Sequence, residues 1–317
     1  MVEIGIFLST EEHAGSDLVA TARHAEEAGF TTASISDHFH PWLSDQGHSP
    51  FVWSVLGAIA EATSTLRVTT AVTCPSIRTH PAIVAQATAT TQELFGGRFR
   101  FGIGSGEALN EHITGARWPP IEVRLEMLEE ALEIIRRLWT GDTVDHHGRH
   151  YTVENARLWT LPEDPPQVLM SAFGARAVEV AARIADGYYA AWPAEGLLDR
   201  YRAHGGRGPA IGELKTCYDT DRQRAIETAH RAWRHELVPG LAGQDLPTTT
   251  HFDQIAGIVT PEMVADRYVC GDDRDAHLAA IAQFVDAGFD EVHVLQIGPR
   301  QQDLIAYYAE EILPAFA

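Results

Sequence analysis

Two imidazoles, a carboxylate and an indole share the short run Asp37-His38-Phe39-His40-Pro41-Trp42. An imidazole titrates near neutral pH and can take or give a proton during a reaction. A carboxylate can hold an imidazole in one orientation, and an indole can lie flat against another ring. The plain alternative is a proline-terminated turn with an aspartate cap and a buried aromatic. A metal site is a further alternative, because His38 and His40 alternate and His48 lies nearby. Zinc sites need further His or Cys partners at defined spacing. No such motif accompanies these residues, so no metal is expected.

Three other segments concentrate groups able to bind or react. Thr73-Cys74-Pro75-Ser76-Ile77-Arg78-Thr79-His80-Pro81 reads either as a loop closed by prolines or as a ligand contact. Gly102-Ile103-Gly104-Ser105-Gly106-Glu107-Ala108-Leu109-Asn110-Glu111 is rich in glycine, which lets a ligand approach the backbone. It is not a dinucleotide fingerprint: the last glycine is displaced, Glu107 sits inside the loop, and no ribose-binding acid follows at the right distance. Beside His38, Glu107 offers a second proton-transfer group, and two such groups on one pocket can divide acid and base roles. Ser171-Ala172-Phe173-Gly174-Ala175-Arg176-Ala177 opens a helix, whose free N–H groups suit a phosphate as well as an ordinary cap.

The elements that must position these groups alternate along the chain. Strands are expected at Glu3 to Leu8, Thr31 to Ile35, Leu66 to Thr73, Arg98 to Ile103, Gln167 to Ala172, Gly187 to Ala191, 211 to 218 and 291 to 297. Helices are expected at Ser16 to Ala28, with Gly29 as its C-terminal stop, and at Pro50 to Ala62, Pro81 to Leu94, 121 to 138, Ala175 to Ile184, 221 to 236 and 301 to 312. The clearest is 121 to 138, where Ile121, Leu125, Leu128, Leu132, Ile135 and Leu138 recur at spacings of three and four. Residues 141 to 166 break the rhythm and predict a hairpin excursion, and 237 to 260 form a second insertion. Repeated strand–helix units predict a parallel sheet. Eight of them in a chain of 317 residues fit a single (β/α)8 barrel with insertions, an open doubly wound sheet being the alternative. In a barrel the chemistry gathers in the loops after the strands, and all four segments fall there.

A formal net charge of -20 argues against nucleic acid and anionic membrane surfaces as partners. Lys215 is the only lysine, so Schiff-base chemistry is open to that residue alone and an anion must be gripped by arginine or backbone N–H groups. Cys74, Cys217 and Cys270 are scattered, which suits a reduced protein. No leader pattern opens the chain, and no run approaches the roughly 18 apolar residues of a spanning helix. A soluble, cytoplasmic protein is expected.

Together, Ser36-Asp37-His38-Phe39-His40-Pro41-Trp42, Gln46-Gly47-His48-Ser49-Pro50-Phe51, Pro81-Ala82-Ile83-Val84-Ala85-Gln86-Ala87 and the glycine-rich segment resemble the bacterial-luciferase-like superfamily. Within it they look most like the F420-dependent glucose-6-phosphate dehydrogenases and F420-dependent secondary alcohol dehydrogenases. The resemblance covers nearly the whole chain. It implies a barrel, a homodimer, and hydride transfer between a carbinol carbon and the deazaflavin of coenzyme F420. His38 then matches the histidine that handles the hydroxyl proton, Glu107 the carboxyl that exchanges a proton with the deazaflavin, and Trp42 the indole at the reacting face. Asp37, Ser105, Gly106 and Asn110 match residues touching the coenzyme. Phe173, Gly174, Arg176 and Ala177 match the segment gripping its phosphate-bearing tail. Ala71-Val72 matches a non-proline cis peptide, and Cys74 stands where a threonine lies near the coenzyme.

The departures concern the substrate. Where the sugar-phosphate enzymes use a threonine and lysines, this chain has Ala191-Trp192-Pro193-Ala194-Glu195, and only Arg267 matches a phosphate-contacting arginine. A site short of cations that gains Trp192 and Glu195 suits a phosphate dianion poorly. A small, uncharged alcohol or ketone is therefore expected. The alternatives are a sugar-phosphate dehydrogenase, a flavin-dependent luciferase-like monooxygenase, and a non-catalytic barrel that stores or senses the coenzyme.

Overall fold

The computed structural model describes residues 2–316. Eight parallel strands close into a barrel in chain order: β1 (Glu3–Leu8), β2 (Thr32–Ile35), β3 (Arg67–Thr70), β4 (Phe99–Ile103), β5 (Gln167–Ser171), β6 (Gly187–Ala190), β7 (Ala210–Cys217) and β8 (Glu291–Gln296). β8 pairs with both β7 and β1, and β6 pairs with β7, so the ring has no open edge. A two-residue strand, Val269–Cys270, adds to the outer end of β7. The open-sheet alternative is excluded.

Helices surround the ring: α1 (Gly15–Glu27), α2 (Val52–Ala62), α3 (Pro81–Leu94), α4 (Ile121–Leu138), α5 (Ala175–Ile184), α6 (Leu197–Ala203), α7 (Arg222–Trp233), α8 (Arg274–Asp286) and α9 (Gln301–Tyr307). In α4 the apolar stripe predicts the buried face: Leu125, Leu128, Leu132, Ile135 and Leu138 are all buried. Each contributes up to about 2 kcal/mol of transfer free energy, against which the exposed Glu133–Arg137 pair adds a few tenths. α1 stops where Gly29 adopts φ +100°, a conformation that strains any side chain.

Five elements differ from the sequence pattern. β3 ends at Thr70, three residues early; the chain then passes the cis Ala71-Val72 peptide and returns to the sheet only as a single bridge from Thr73 to Ile103. The helix expected to reach 236 ends at Trp233 and tightens into a 3₁₀ turn, Arg234–Leu237. The helix expected at 301 to 312 is regular only to Tyr307 and then widens into a π turn, Tyr308–Ile312. α6 and α8 carry weak periodicity and were not expected. The excursion within 141 to 166 is an antiparallel hairpin, Val144–His147 with Thr152–Ala156. The 237 to 260 insertion folds into short helices, Ala242–Asp245 and Thr249–Ile255.

The barrel lumen holds a polar layer. Arg100 donates from both terminal nitrogens to Glu291 at 2.6 and 2.7 Å and from Nε to Thr69 at 2.9 Å. His293 lies 2.6 Å from Ser34 Oγ and 3.1 Å from Glu291. Burial opposes the Glu291 charge, but Arg100 and His293 outweigh it and hold the carboxyl far below its ordinary value. Such an ion pair is costly to break from one side, since the orphaned charge would stay buried. This layer plugs the lower barrel. Because all eight strands are parallel, every strand ends at the opposite mouth, and the loops that carry the four reactive segments converge there.

Candidate active site

His38 leaves β2 at the barrel mouth and meets groups from two other loops. Its Nε2 lies 3.4 Å from Glu11 Oε1, in the turn after β1. Its Nδ1 lies 3.0 Å from Asn110 Nδ2 and 3.2 Å from the His40 carbonyl. Asn110 belongs to the short helix Ala108–Glu111, whose N-cap is Glu107. The Asn110 oxygen accepts from the backbone N–H groups of Phe39 and His40 at 2.8 and 3.1 Å, so its amide is locked with nitrogen toward His38. Nδ1 therefore finds a partner in either state. As N–H it donates to the His40 carbonyl; as a lone pair it accepts from Asn110. Nε2 is left to carry the working proton.

The carboxylate that faces His38 is not Asp37, as the adjacency of the two residues suggests, but Glu11. Asp37 is turned away: it accepts from Thr73 Oγ1 and Arg78 Nη2, both at 2.8 Å. Consecutive residues in an extended segment point to opposite sides, which separates Asp37 from its neighbour. Glu11 accepts from Ser9 at 3.0 Å and Ser36 at 2.5 Å. Burial works to raise its carboxyl, but the His38 charge, Ser36, its own backbone N–H and Ser9 together keep it below its ordinary value. Glu11 stood in the sequence after a strand end, the position that marked the other groups, in the polar run Ser9-Thr10-Glu11-Glu12-His13, and was not singled out there.

Glu107 is half-buried, and its backbone carbonyl accepts from the N–H groups of Asn110 and Glu111, both at 3.1 Å. Its backbone thus opens the single helical turn whose Asn110 meets His38. The glycines of the same loop have neighbours of their own chain. A Cβ on Gly102 would lie 1.8 Å from the Thr70 carbonyl, and one on Gly104 would lie 2.6 Å from Val72. Gly106 adopts φ +75° and its missing Cβ leaves room for Cys74 Sγ. Close passage beside the Thr70–Cys74 segment thus accounts for these glycines. Ala71 and Val72 pack on Leu169, Tyr189 and Ile211 from the inner faces of β5, β6 and β7. Cys74 is buried, 2.9 Å from Ser76 Oγ, and burial together with the Glu111 charge pushes its thiol up. Ser105 is half-buried at the rim.

His40 does not join His38. Its Nδ1 lies 3.0 Å from the Leu109 carbonyl and its ring stacks on His112. Trp42 stands 5.1 Å from His38, ring centre to ring centre, with His235 stacked on it at 5.2 Å and Phe252 edge-on at 5.1 Å. Phe252 lies in the 237 to 260 insertion, which is pinned to the β2 loop by Thr249 Oγ1 donating to the Pro41 carbonyl at 2.8 Å and by Asp253 accepting from Ser44. The insertion is therefore a wall of the site.

The remaining positions lie farther round the rim. α5 opens at Gly174 without a side-chain cap, and Phe173, Gly174 and Arg176 are exposed, with Ala177 half-buried. Phe173 stacks on Trp192 at 4.8 Å, and Arg267 lies 6.0 Å over the same indole. Residues assigned to the coenzyme tail and to the substrate thus form one aromatic–cation stack. Glu195 is exposed in the turn before α6. Lys215 points into the barrel between Glu213 at 2.7 Å and Glu236 at 2.9 Å; although burial opposes its charge, these carboxylates raise it.

A parallel eight-stranded barrel with an acid–imidazole–amide constellation at the C-terminal mouth defines a barrel enzyme of the proton-handling kind. The chain belongs to the luciferase-like monooxygenase family, whose profile matches residues 2–291. It is similar to F420-dependent glucose-6-phosphate dehydrogenase of Nakamurella multipartita, 33% identical over 99% of this chain and 96% of that protein. The protein of the same name from Microbacterium testaceum is 32% identical over 99% and 97%. Among solved structures it resembles an F420-dependent secondary alcohol dehydrogenase in complex with an F420–acetone adduct, with TM-score 0.92, 29% identity, and 100% and 99% of the two chains covered.

Proposed function

We propose that this protein is an F420-dependent oxidoreductase that moves a hydride between the carbinol carbon of an uncharged alcohol and the deazaflavin. One observation carries the reading: His38 is held between Glu11 and Asn110, and the helix that supplies Asn110 starts at Glu107. The similarity to F420-dependent dehydrogenases supports the coenzyme. The residues present suit it. The uncapped start of α5 offers N–H groups for a phosphate, with open space at Gly174 and Arg176, exposed in the first turn and 3.9 Å from Glu122, as the nearby cation of that segment. Ala71-Val72 with Cys74, Ser105 and Gly106 would hold the ring, and Asp37 and Asn110 would border it.

When bound, a deazaflavin accepts the hydride and its two electrons. The chain supplies the protons and the geometry. His38 Nε2 takes the hydroxyl proton as the carbinol carbon loses hydride, leaving a ketone. The imidazolium so formed is stabilised by Glu11, and its Nδ1–H donates to the His40 carbonyl. Glu107 supplies the proton that the reduced ring takes up. Trp42 and Phe252 exclude water from the reacting face. In the opposite direction the roles reverse. Lys215 is committed to Glu213 and Glu236, and Arg267 to the Trp192 face, so few cations remain for a phosphate dianion. The reading includes a homodimer working in the cytoplasm; no described helix is long and apolar enough to cross a membrane.

The test is His38→Ala, assayed by loss of oxidised deazaflavin absorbance with 2-propanol and glucose 6-phosphate side by side, and by fluorescence titration of F420. Turnover of the alcohol should vanish while F420 binding stays. Unchanged turnover would remove His38 from the chemistry, and a preference for the sugar phosphate would overturn the substrate class.

A further inference from the structure

The turn after β1 carries two consecutive carboxylates, and the reaction uses only the first. Glu11 faces His38, whereas Glu12 is bonded elsewhere. Its Oε2 accepts from the indole N–H of Trp233 at 2.6 Å, and its Oε1 from the Gly298 backbone N–H, just past β8, at 3.0 Å. Both oxygens are thus committed to the chain itself. Trp233 is the last residue of α7 and opens a series of rings. His235 leans on it, with ring centres 5.2 Å apart, and lies on Trp42 at 5.2 Å with the two planes 14° apart. Trp42 in turn stands 5.1 Å from His38. Phe252 meets both Trp42 and His235 edge-on.

Among the described residues, the rings of Trp42, His235 and Trp233 make a single hydrogen bond, the one from Trp233 to Glu12. The buried Nδ1 of His235 has no partner. Stacking sets the spacing of rings but resists sliding and turning weakly, because each atom pair gains only about 0.1–0.2 kcal/mol. A hydrogen bond to a carboxylate is directional and roughly twice as strong as one between neutral groups. The orientation of the series is therefore set at its Glu12 end, and Gly298 ties that end to the barrel. One turn thus addresses His38 twice: directly through Glu11, and through three rings from Glu12.

We propose that Glu12 is a positioning residue: bonded to Trp233, it fixes the three-ring series and so sets the plane of Trp42 beside His38. Its effect on rate rests on the alcohol-oxidising reading above; the coupling of the rings does not. A side chain at a reacting face works when packing and the hydrogen bonds of its supports lock its rotamer, and a misplacement of about 1 Å can cost up to about 100-fold.

The experiment compares wild type with Glu12→Ala, Glu12→Gln and Trp233→Phe in the oxidation of 2-propanol, following deazaflavin absorbance, with F420 affinity as the check on folding. Glu12→Ala should lower kcat about tenfold while KM and F420 affinity stay within about threefold of wild type. Trp233→Phe keeps a ring but loses the donor and should match it. The double variant should be no slower than either single one, because both cut the same bond. Glu12→Gln, whose amide oxygen still accepts from Trp233, should restore most of the rate. Independently of turnover, in protein carrying 5-fluorotryptophan, the fluorine-19 signal of Trp42, assigned by its loss in Trp42→Phe, should move in Glu12→Ala and Trp233→Phe. It should return toward its original position in Glu12→Gln, while the signal of the exposed Trp159 stays put. A fixed Trp42 signal, a kcat within about threefold of wild type in both Glu12→Ala and Trp233→Phe, or additive losses in the double variant would show a packing role and overturn the proposal. If Glu12→Ala failed to bind F420, Trp233→Phe would decide alone. If wild type bound F420 yet oxidised no alcohol, the dehydrogenase reading would fall; the fluorine signal would still decide the ring coupling, and a fixed signal would overturn it.

Discussion

Asn110 is the residue through which two loops become one site, and its removal should uncouple them. Its side chain is 2% exposed and makes three contacts: from Oδ1 to Phe39 N and His40 N, and from Nδ2 to His38 Nδ1. In Asn110→Ala two backbone donors lose their acceptor. Each such bond contributes about 1 kcal/mol net, and Phe39 is half exposed, so water can replace only part. The expected loss is about 2 kcal/mol, or a fall in Tm of about 3 °C by calorimetry. The ring also loses the amide packed against its Nδ1 side, leaving only Glu11 and the His40 carbonyl to hold its orientation. A misplaced general base costs about 100-fold in kcat, about 2.7 kcal/mol. Asn110→Asp separates the two effects. It keeps an acceptor for both backbone N–H groups, so its Tm should fall less. It also sets an anion beside the ring, which favours the imidazolium. Alcohol oxidation needs the neutral base, so the rising limb of kcat/KM should move to higher pH. The assay is deazaflavin absorbance across pH, with F420 affinity measured alongside. An Asn110→Ala enzyme whose kcat stays within about threefold of wild type would refute the idea that this amide positions His38.

Three further outcomes follow from the same geometry. Glu11→Gln removes the charge that faces the imidazolium and should lower kcat for alcohol oxidation about 10- to 100-fold with little change in F420 affinity; an unchanged kcat in steady-state assays would dismiss Glu11. Glu26 accepts from the N–H groups of Ser64, Thr65 and Leu66, and although burial opposes it, these bonds lower its carboxyl to about 2. A depressed carboxyl stabilises the fold above its unfolded value, and the effect is lost as pH falls toward 2, so chemical denaturation should show Glu26→Ala weaker than wild type by about 1–2 kcal/mol at pH 7 and equal to it near pH 2. Gly106→Ala sets a Cβ 2.6 Å from Cys74 Sγ at a positive φ, and should weaken F420 binding and lower Tm; a variant with wild-type values in both would mean the loop yields freely.

The periodicity of the chain was enough for the class of architecture. Short β-branched runs alternate with helical stripes such as that of α4, which demands a parallel sheet; that the sheet closes into a ring was decided by the fold. The positions of His38, Glu107, Trp42 and Phe173 just after strand ends were equally visible, because parallel strands must deliver their loops to one mouth. Partnership was not visible. Local sequence set Asp37 beside His38, yet extended backbone sends neighbouring side chains apart, and the carboxylate at the imidazole comes from Glu11 across the β1–β2 seam. The insertion at 237 to 260 showed no periodic pattern, since its short helices are held by Phe252 and Asp253 reaching the β2 loop rather than by their own propensity. His235 read as one more residue of the helix expected at 221 to 236 until the fold ended that helix at Trp233 and laid the imidazole on Trp42. Secondary structure depends on contacts a few residues apart and is written along the chain; the pairing of charges and rings depends on closure of the barrel, which joins residues far apart in sequence and so exists only in three dimensions.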